Sequence, residues 1–328
     1  MDIEGKVCYI FPGQASQYIG MGKDIYKYDF VKELFHTGNK ILGYNITDLM
    51  FDGSKEDLKK TIYCQPAMFL TNLAYFKVLT KIKKIPCSLT LGHSIGEYSA
   101  LVASGVLSLE DGIKLVKKRA ELMTECIPSE QKKHYMAAIL THNANLIDLV
   151  KEICNNYLLS KDGDKGIVQI ANINSPYQII ISGNHNAITE VSENLKSKSI
   201  RIFYLNVEGP FHSELMRPAA EGMEKTLEEF LKNKDIKIKT PKIPYIANYT
   251  SNLIFKPNKI KESLINQICG TVRWEESLER AAIGRGFKNF VECGPKNVQT
   301  KILINDYKNK NKNYKEIKVW NAENIIKF

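Results

Sequence analysis

A serine stands between two glycines in Gly92-His93-Ser94-Ile95-Gly96, with an apolar run before it (Cys87 to Leu91) and a helix-like run after it (Gly96 to Ser104). A Gly-x-Ser-x-Gly pentapeptide in that context predicts a nucleophile elbow, a tight strand-to-helix turn that exposes the serine hydroxyl. The glycines let the backbone turn without a clashing Cβ. The helix amino-terminus then aims free N–H groups and a partial positive charge at the serine oxygen. By itself the pentapeptide is weak, since a chance match in a chain this long has odds of roughly one in fifteen. An ordinary serine in a tight turn would read the same way.

A serine nucleophile needs a base, donors for the developing oxyanion and a group to position the substrate. Six histidines are available. His93 is next to Ser94 and, in an elbow, points away from it, which suits a structural or supporting role. His212, in Glu208-Gly209-Pro210-Phe211-His212-Ser213, lies in a loop that opens a helix and is the best base. His36, His134, His142 and His185 lie in helical or polar contexts with no partner signal. A triad of the α/β-hydrolase order would place an acid between the serine and the histidine. The acids between residues 94 and 212 lie mostly on helix faces or at 162–164, none at a suitable strand end. Either the triad is incomplete or a carbonyl orients the imidazole. Arg119, in Val116-Lys117-Lys118-Arg119-Ala120, is either a solvated helix residue or a fork for a carboxylate.

These residues need a scaffold, and the hydrophobic pattern supplies one. Val7–Phe11 reads as a first strand, ending in the loop Pro12-Gly13-Gln14-Ala15-Ser16-Gln17. A helix follows over 30–42, and a long one from Pro66 to about Lys83, with Pro66 in its first turn. Strand 87–91, helix 95–104 and a helix capped by Ser108 come next, the last running to about Cys126 and stopped by Pro128. The rhythm then changes to strand 135–140, helix 145–157, strands 166–171 and 178–182 joined by Asn174-Ser175-Pro176, helix 187–196 and strand 201–206. That β-α-β-β-α-β order predicts a ferredoxin-like unit, with Lys161 to Lys165 as a surface loop inside it. Alternation resumes with helix 214–231, strand 243–247, helices 260–269 and 274–284, strand 290–292, helix 298–305 and strand 317–321. The expected fold is therefore α/β: a large α/β-hydrolase-like domain with a mainly parallel sheet (1–133 and 207–328) carrying an inserted ferredoxin-like domain (134–206).

Composition excludes several classes. The 328 residues are 44% hydrophobic and 25% charged, an ordinary globular balance. No run of 18 or more apolar residues suggests a membrane span, and the first residues resemble neither a signal nor a transit peptide. The seven cysteines are scattered, so reduced thiols in an intracellular or organellar compartment are expected, and no Cys/His spacing suggests a metal site. The formal net charge of +10, mostly lysine, lacks a nucleic-acid motif; it reflects either an acidic partner or a bias towards Lys, Asn and Ile.

Several blocks occur in order along the chain: Phe11 to Gln17, Gly92 to Ala100, Arg119 in its helix, Asn172-Ile173-Asn174-Ser175-Pro176, Gly209-Pro210-Phe211-His212 and Val291-Glu292-Cys293-Gly294-Pro295. Over essentially its full length the chain resembles the malonyl-CoA:acyl carrier protein transacylases of type II fatty acid synthesis, which also carry a ferredoxin-like insertion. The resemblance implies a malonyl group passed from malonyl-CoA through Ser94 to the phosphopantetheine thiol of an acidic acyl carrier protein. His212 would be the base, held by a main-chain carbonyl of Gln267, and the backbone N–H groups of Gln14 and Ile95 would hold the oxyanion. Arg119 would bind the malonyl carboxylate, and the Phe211 ring would leave little room for an α-methyl branch. No cofactor or metal is implied. A monomer is expected, in a bacterial cytoplasm or a plastid-type organelle. Two departures stand out: Ala15 replaces the middle glycine of the family's Gly-Gln-Gly-Ser-Gln, and Lys296 the last glycine of its Gly-Pro-Gly. The rival functions are a serine esterase or thioesterase and an inactive carrier-protein docking module. Arg119 and the missing acid oppose the first, and the intact Ser94, His212, Gln14 and Arg119 oppose the second.

Overall fold

The computed structural model describes residues 3–127, 135–141, 146–159, 166–196, 200–308 and 314–327. Pro128, His134, His142, the loop 161–165 and residues 309–313 lie outside them.

Five short strands form a parallel sheet in the order β7-β2-β1-β8-β9: β1 (Val7–Phe11), β2 (Leu89–Gly92), β7 (Tyr245–Ile246), β8 (Asn289–Glu292) and β9 (Lys318–Asn321). All residues of β1, β2, β7 and β8 are buried, as expected of strands covered on both faces. β1 is central, with Phe11 opposite Gly92 of β2 and Ile10 opposite Glu292 of β8. The chain moves from β1 to β2 and β7 on one side, and later to β8 and β9 on the other. The reversal opens a crevice at the carboxyl ends of the central strands, where an open α/β sheet binds ligands.

Around the large sheet lie α1 (Asp29–Leu42), α2 (Ile46–Asp52), α3 (Lys55–Lys59), α4 (Thr61–Lys81), α5 (Gly96–Ala103), α6 (Leu109–Glu125), α9 (Arg217–Lys232), α10 (Pro257–Cys269), α11 (Trp274–Glu279), α12 (Val298–Ile302) and α13 (Ala322–Lys327), with α5 against β1 and β2 and many of the others packed helix on helix. α6 starts where Ser108 Oγ accepts the Asp111 N–H at 3.0 Å, as expected. α4 starts earlier than expected, at Thr61, and Pro66 lies inside it. The reason is remote in sequence: the Glu208 carboxylate accepts the Thr61 N–H at 2.5 Å, so a distant acid caps the first turn. Three short helices, α2, α3 and α13, escaped the sequence reading, being too short to show helical periodicity. The helix expected from Glu214 begins as a 3₁₀ turn (Glu214–Met216) and becomes α-helical only at Arg217. Those expected over 274–284 and 298–305 each end in a π-helical stretch, Arg280–Gly284 and Leu303–Lys308.

A second sheet is antiparallel, in the order β4-β5-β3-β6: β3 (Met136–Leu140), β4 (Val168–Ser175), β5 (Gln178–Gly183) and β6 (Arg201–Tyr204). With α7 (Leu146–Leu159) and α8 (His185–Lys196), its chain order is β-α-β-β-α-β. Strand alternation divides its faces. Ala137, Ile139, Ile179 and Ile181 join the core shared with α8, while Met136, Ala138 and Ile180 face the large core. β4 is also tied to the segment after α10, since Val272 N donates to Ala171 O at 2.8 Å and Ile173 N to Val272 O at 3.0 Å.

Candidate active site

Ser94 sits in the turn between β2 and α5 with φ +51°, a left-handed conformation rare for a residue with a Cβ. The glycines beside it serve close approach. A Cβ on Gly96 would lie 2.2 Å from Phe11 O, and one on Gly92 would lie 2.0 Å from Gly96 O. Asn248, just beyond β7, fixes the turn: its Oδ1 accepts the Ser94 N–H at 2.7 Å, and its Nδ2 donates to Gly92 O.

Ser94 Oγ lies 2.7 Å from His212 Nε2, and His212 Nδ1 lies 2.8 Å from Gln267 O. The carbonyl fixes the tautomer. Nδ1 carries the proton and donates to Gln267 O, so Nε2 is left to accept from the serine. Gln267 is in the last turn of α10, where carbonyls lack intrahelical partners and the helix dipole is negative. That end is suited to hold an imidazole that becomes cationic during reaction. Burial pushes the His212 pKa down to about 3, reinforced by the Arg119 charge and opposed by the Gln267 carbonyl. The ring is therefore neutral at neutral pH, with Nε2 free to accept a proton.

Arg119, 1% exposed, is no surface residue. From α6 its Nη2 reaches Ser94 Oγ at 3.3 Å and Gln267 Oε1 at 3.0 Å. Its Nε is buried with no hydrogen-bond partner among the described residues. A guanidinium with an unused donor beside a nucleophile can take an anionic group of the substrate.

Ser94, Arg119, His212, Phe211 and Gln14 line one cleft of about 260 Å³, roofed by Met136, Ala138 and Ile180 of the small sheet. The Phe211 ring is 5% exposed within it. Neither the Gln14 nor the Ile95 N–H has a hydrogen-bond partner among the described residues, while the Gln14 side chain is held on Thr61 Oγ1 at 3.4 Å. His93 turns away, as its position in the elbow predicts. Its Nε2 donates to Asn174 Oδ1 at 2.8 Å, and its ring meets Trp274 edge-on at 5.3 Å. His36 lies on α1 and His185 opens α8, both remote from the cleft lining.

Two buried residues at the site were given no role from sequence. Asn248 carried no local signal. Glu97 stood in the elbow motif but reads as an ordinary acid in a helical first turn; it is completely buried, bonded to Gln267 Nε2 at 2.6 Å. Both family departures fall at left-handed positions, Ala15 at φ +81° and Lys296 at φ +59°. Among the described residues no three or more His, Cys, Asp or Glu side chains gather as a metal site would require. Among the same residues no helix is long and apolar enough to cross a membrane.

A serine paired with histidine at a strand-to-helix turn, with a buried arginine beside it, has the geometry of the class of enzymes that can form an acyl-serine. Within that class the chain belongs to the acyl transferase domain family, whose model matches residues 8–322. The chain is 39% identical over 324 residues to the malonyl CoA-acyl carrier protein transacylase of Bacillus subtilis (strain 168), covering 98% of this chain and 95% of that one. Its fold is similar to the crystal structure of an acyl carrier protein S-malonyltransferase from Vibrio cholerae, with TM-score 0.84 and 32% identity over 97% of this chain and 96% of the other. It is also similar to a malonyl-transacylase solved in complex with its type II PKS acyl-carrier protein, with TM-score 0.82 and 30% identity over 97% and 95% of the two chains.

Proposed function

We propose that this acyltransferase moves the malonyl group of malonyl-CoA to the phosphopantetheine thiol of an acyl carrier protein, feeding fatty acid chain elongation, by a ping-pong reaction through malonyl-Ser94. The observation that carries the reading is Arg119 Nη2 at 3.3 Å from Ser94 Oγ inside a buried cleft. A cation there matches an acyl group that ends in a carboxylate. An uncharged acetyl group would leave the guanidinium unpaired.

In the first half-reaction Ser94 Oγ attacks the thioester carbon as His212 Nε2 takes its proton. The oxyanion is held by the N–H groups of Gln14 and Ile95. The intermediate collapses, the C–S bond breaks, and His212 returns the proton to the CoA thiolate. In the second, the carrier thiol gives its proton to His212 and attacks the serine ester; Ser94 leaves and is reprotonated. The Gln267 carbonyl stabilises the imidazolium of each step. Phe211 narrows the space beside the acyl group and disfavours an α-branch. The reaction calls for no metal or resident cofactor.

The strand order β4-β5-β3-β6 supports a ferredoxin-like unit at 134–206, inserted into an α/β-hydrolase-like domain at 1–133 and 207–328. The working unit is a monomer. The bacterial relative favours a bacterial cytoplasm over a plastid-type organelle.

The test is intact-mass spectrometry after mixing with malonyl-CoA. A gain of about 86 daltons, the mass added by acylating a serine, is expected for the wild type and not for Ser94→Ala. Adding holo acyl carrier protein should discharge the adduct onto the carrier. Discharge to water alone would make the protein a thioesterase, and no adduct on the wild type would make it a docking module.

A further inference from the structure

Glu97 lies on the first turn of α5, three residues after the nucleophile, and both of its carboxylate oxygens are used. Oε2 accepts from Gln267 Nε2 at 2.6 Å and Oε1 from the Asn248 N–H at 3.3 Å. The two residues it holds each bind Ser94. Gln267 Nε2 also donates to Ser94 O at 2.9 Å, and Asn248 Oδ1 accepts the Ser94 N–H. The far end of the Gln267 amide, Oε1, accepts from Arg119 Nη2.

In its ionised form the Glu97 carboxylate can only accept hydrogen bonds, and together with the Ser94 carbonyl it holds the Gln267 amide in one orientation. The amide nitrogen must face Glu97 and Ser94 O, which leaves the amide oxygen for the guanidinium. Were the amide reversed, its nitrogen would meet Arg119 donor to donor and turn the guanidinium away. Glu97 is also a countercharge acting on the buried Arg119. Burial raises the Glu97 pKa to about 7, opposed by its bonds to Gln267 and Asn248 and by the Arg119 charge.

We propose that Glu97 is a positioning residue for acyl selectivity: through the Gln267 amide it aims the Arg119 guanidinium at the carboxylate of the acyl group, without itself touching substrate. The proposal rests on the malonyl-transfer reading above. The His212 contact uses the main-chain carbonyl of Gln267, which α10 holds whatever the side chain does. Glu97 is thus coupled more tightly to the choice of acyl group than to the chemistry of the dyad.

The test compares malonyl-CoA with acetyl-CoA as donors to wild type, Glu97→Gln, Gln267→Leu and the double variant, with Arg119→Ala as the benchmark for a lost fork. In Glu97→Gln, kcat/KM for malonyl-CoA should fall by roughly tenfold to a hundredfold, mainly through KM, as expected when a buried charged partner is misdirected. Acetyl transfer should change by less than about threefold. Gln267→Leu should lower malonyl transfer more than acetyl transfer, whatever it costs both through the lost bond to Ser94 O, and the double variant should be no worse in malonyl preference than the poorer single, because both act on one link. Equal losses with the two donors would mean a merely structural role and overturn the proposal, as would an unchanged malonyl preference or additive losses. If Glu97→Gln fails to fold, Gln267→Leu decides alone: a retained malonyl preference refutes the link. A wild type that accepts neither donor would remove the transferase reading and this inference with it.

Discussion

His212 shows how far burial can retune one side chain. An ordinary imidazole is half protonated near pH 6.5; here burial and the neighbouring Arg119 carry the pKa to about 3. In the proposed reaction the imidazole is therefore charged only transiently, against the carbonyl end of α10. Imidazole NMR of histidine-labelled protein should find His212 neutral, with one fixed tautomer, from pH 8 down to pH 5. A titration centred near 6.5 would contradict that environment. The unfolded chain binds this proton below about 6.5 and the folded chain does not, so the stability His212 contributes is lost as pH falls from 6.5 towards 3. Glu97 has the opposite sign: its folded pKa of about 7 lies above the ordinary carboxylate value of about 4.5, so its contribution is lost as pH rises through that window.

Turns between elements hold the site in conformations that favour glycine but do not always contain it. Ser94 and His212 themselves have positive φ, at +51° and +58°. Backbone strain of this kind, on the order of 1–2 kcal/mol per residue, persists where surrounding bonds over-determine it. Asn248 supplies them at the elbow, accepting the Ser94 N–H and donating to Gly92 O. Ala15 has φ +81° in the loop that presents Gln14. There the strain is dispensable, because only a methyl separates Ala15 from glycine. Ala15→Gly should stabilise the fold by about 0.5–1 kcal/mol, after allowing for the extra entropy of the unfolded glycine. Differential scanning calorimetry should show a rise of about 2 °C. An unchanged or lower melting temperature would mean that the loop carries no such strain. Near-wild-type malonyl transfer is expected as well, since the change leaves the Gln14 N–H in place.

At the scale of the whole molecule, the formal charge of +10 gives the proposed acidic carrier an electrostatic approach. Association steered by charge weakens as salt shortens the screening length. At saturating malonyl-CoA, kcat/KM for the carrier should fall by roughly tenfold between 50 and 500 mM NaCl, with little change in kcat. Indifference to salt would return the basic excess to a compositional bias with no role in docking. The two sheets have distinct tasks in the same reading. The parallel sheet presents Ser94 at the end of β2, α6 brings Arg119 and the segment before α9 brings His212, while the antiparallel sheet lines the cleft with Met136, Ala138 and Ile180.

The sequence alone determined the alternation of strands and helices, the turn at Ser94 and the βαββαβ order, because each follows from local periodicity and glycine placement. It singled out Ser94 and His212 by residue type and context, and left Arg119 balanced between a solvated face and an anion fork. Only the tertiary structure decided that balance, by burying Arg119 and setting Nη2 beside Ser94 Oγ. Of the two accounts left open for the missing acid, the fold contains a carbonyl on His212, and also a buried carboxylate, Glu97, one amide away. No local pattern could have shown this. Ser94, Arg119, His212, Asn248 and Gln267 span more than 170 residues of chain, and hydrogen bonds between them exist only once the helices close over the sheet.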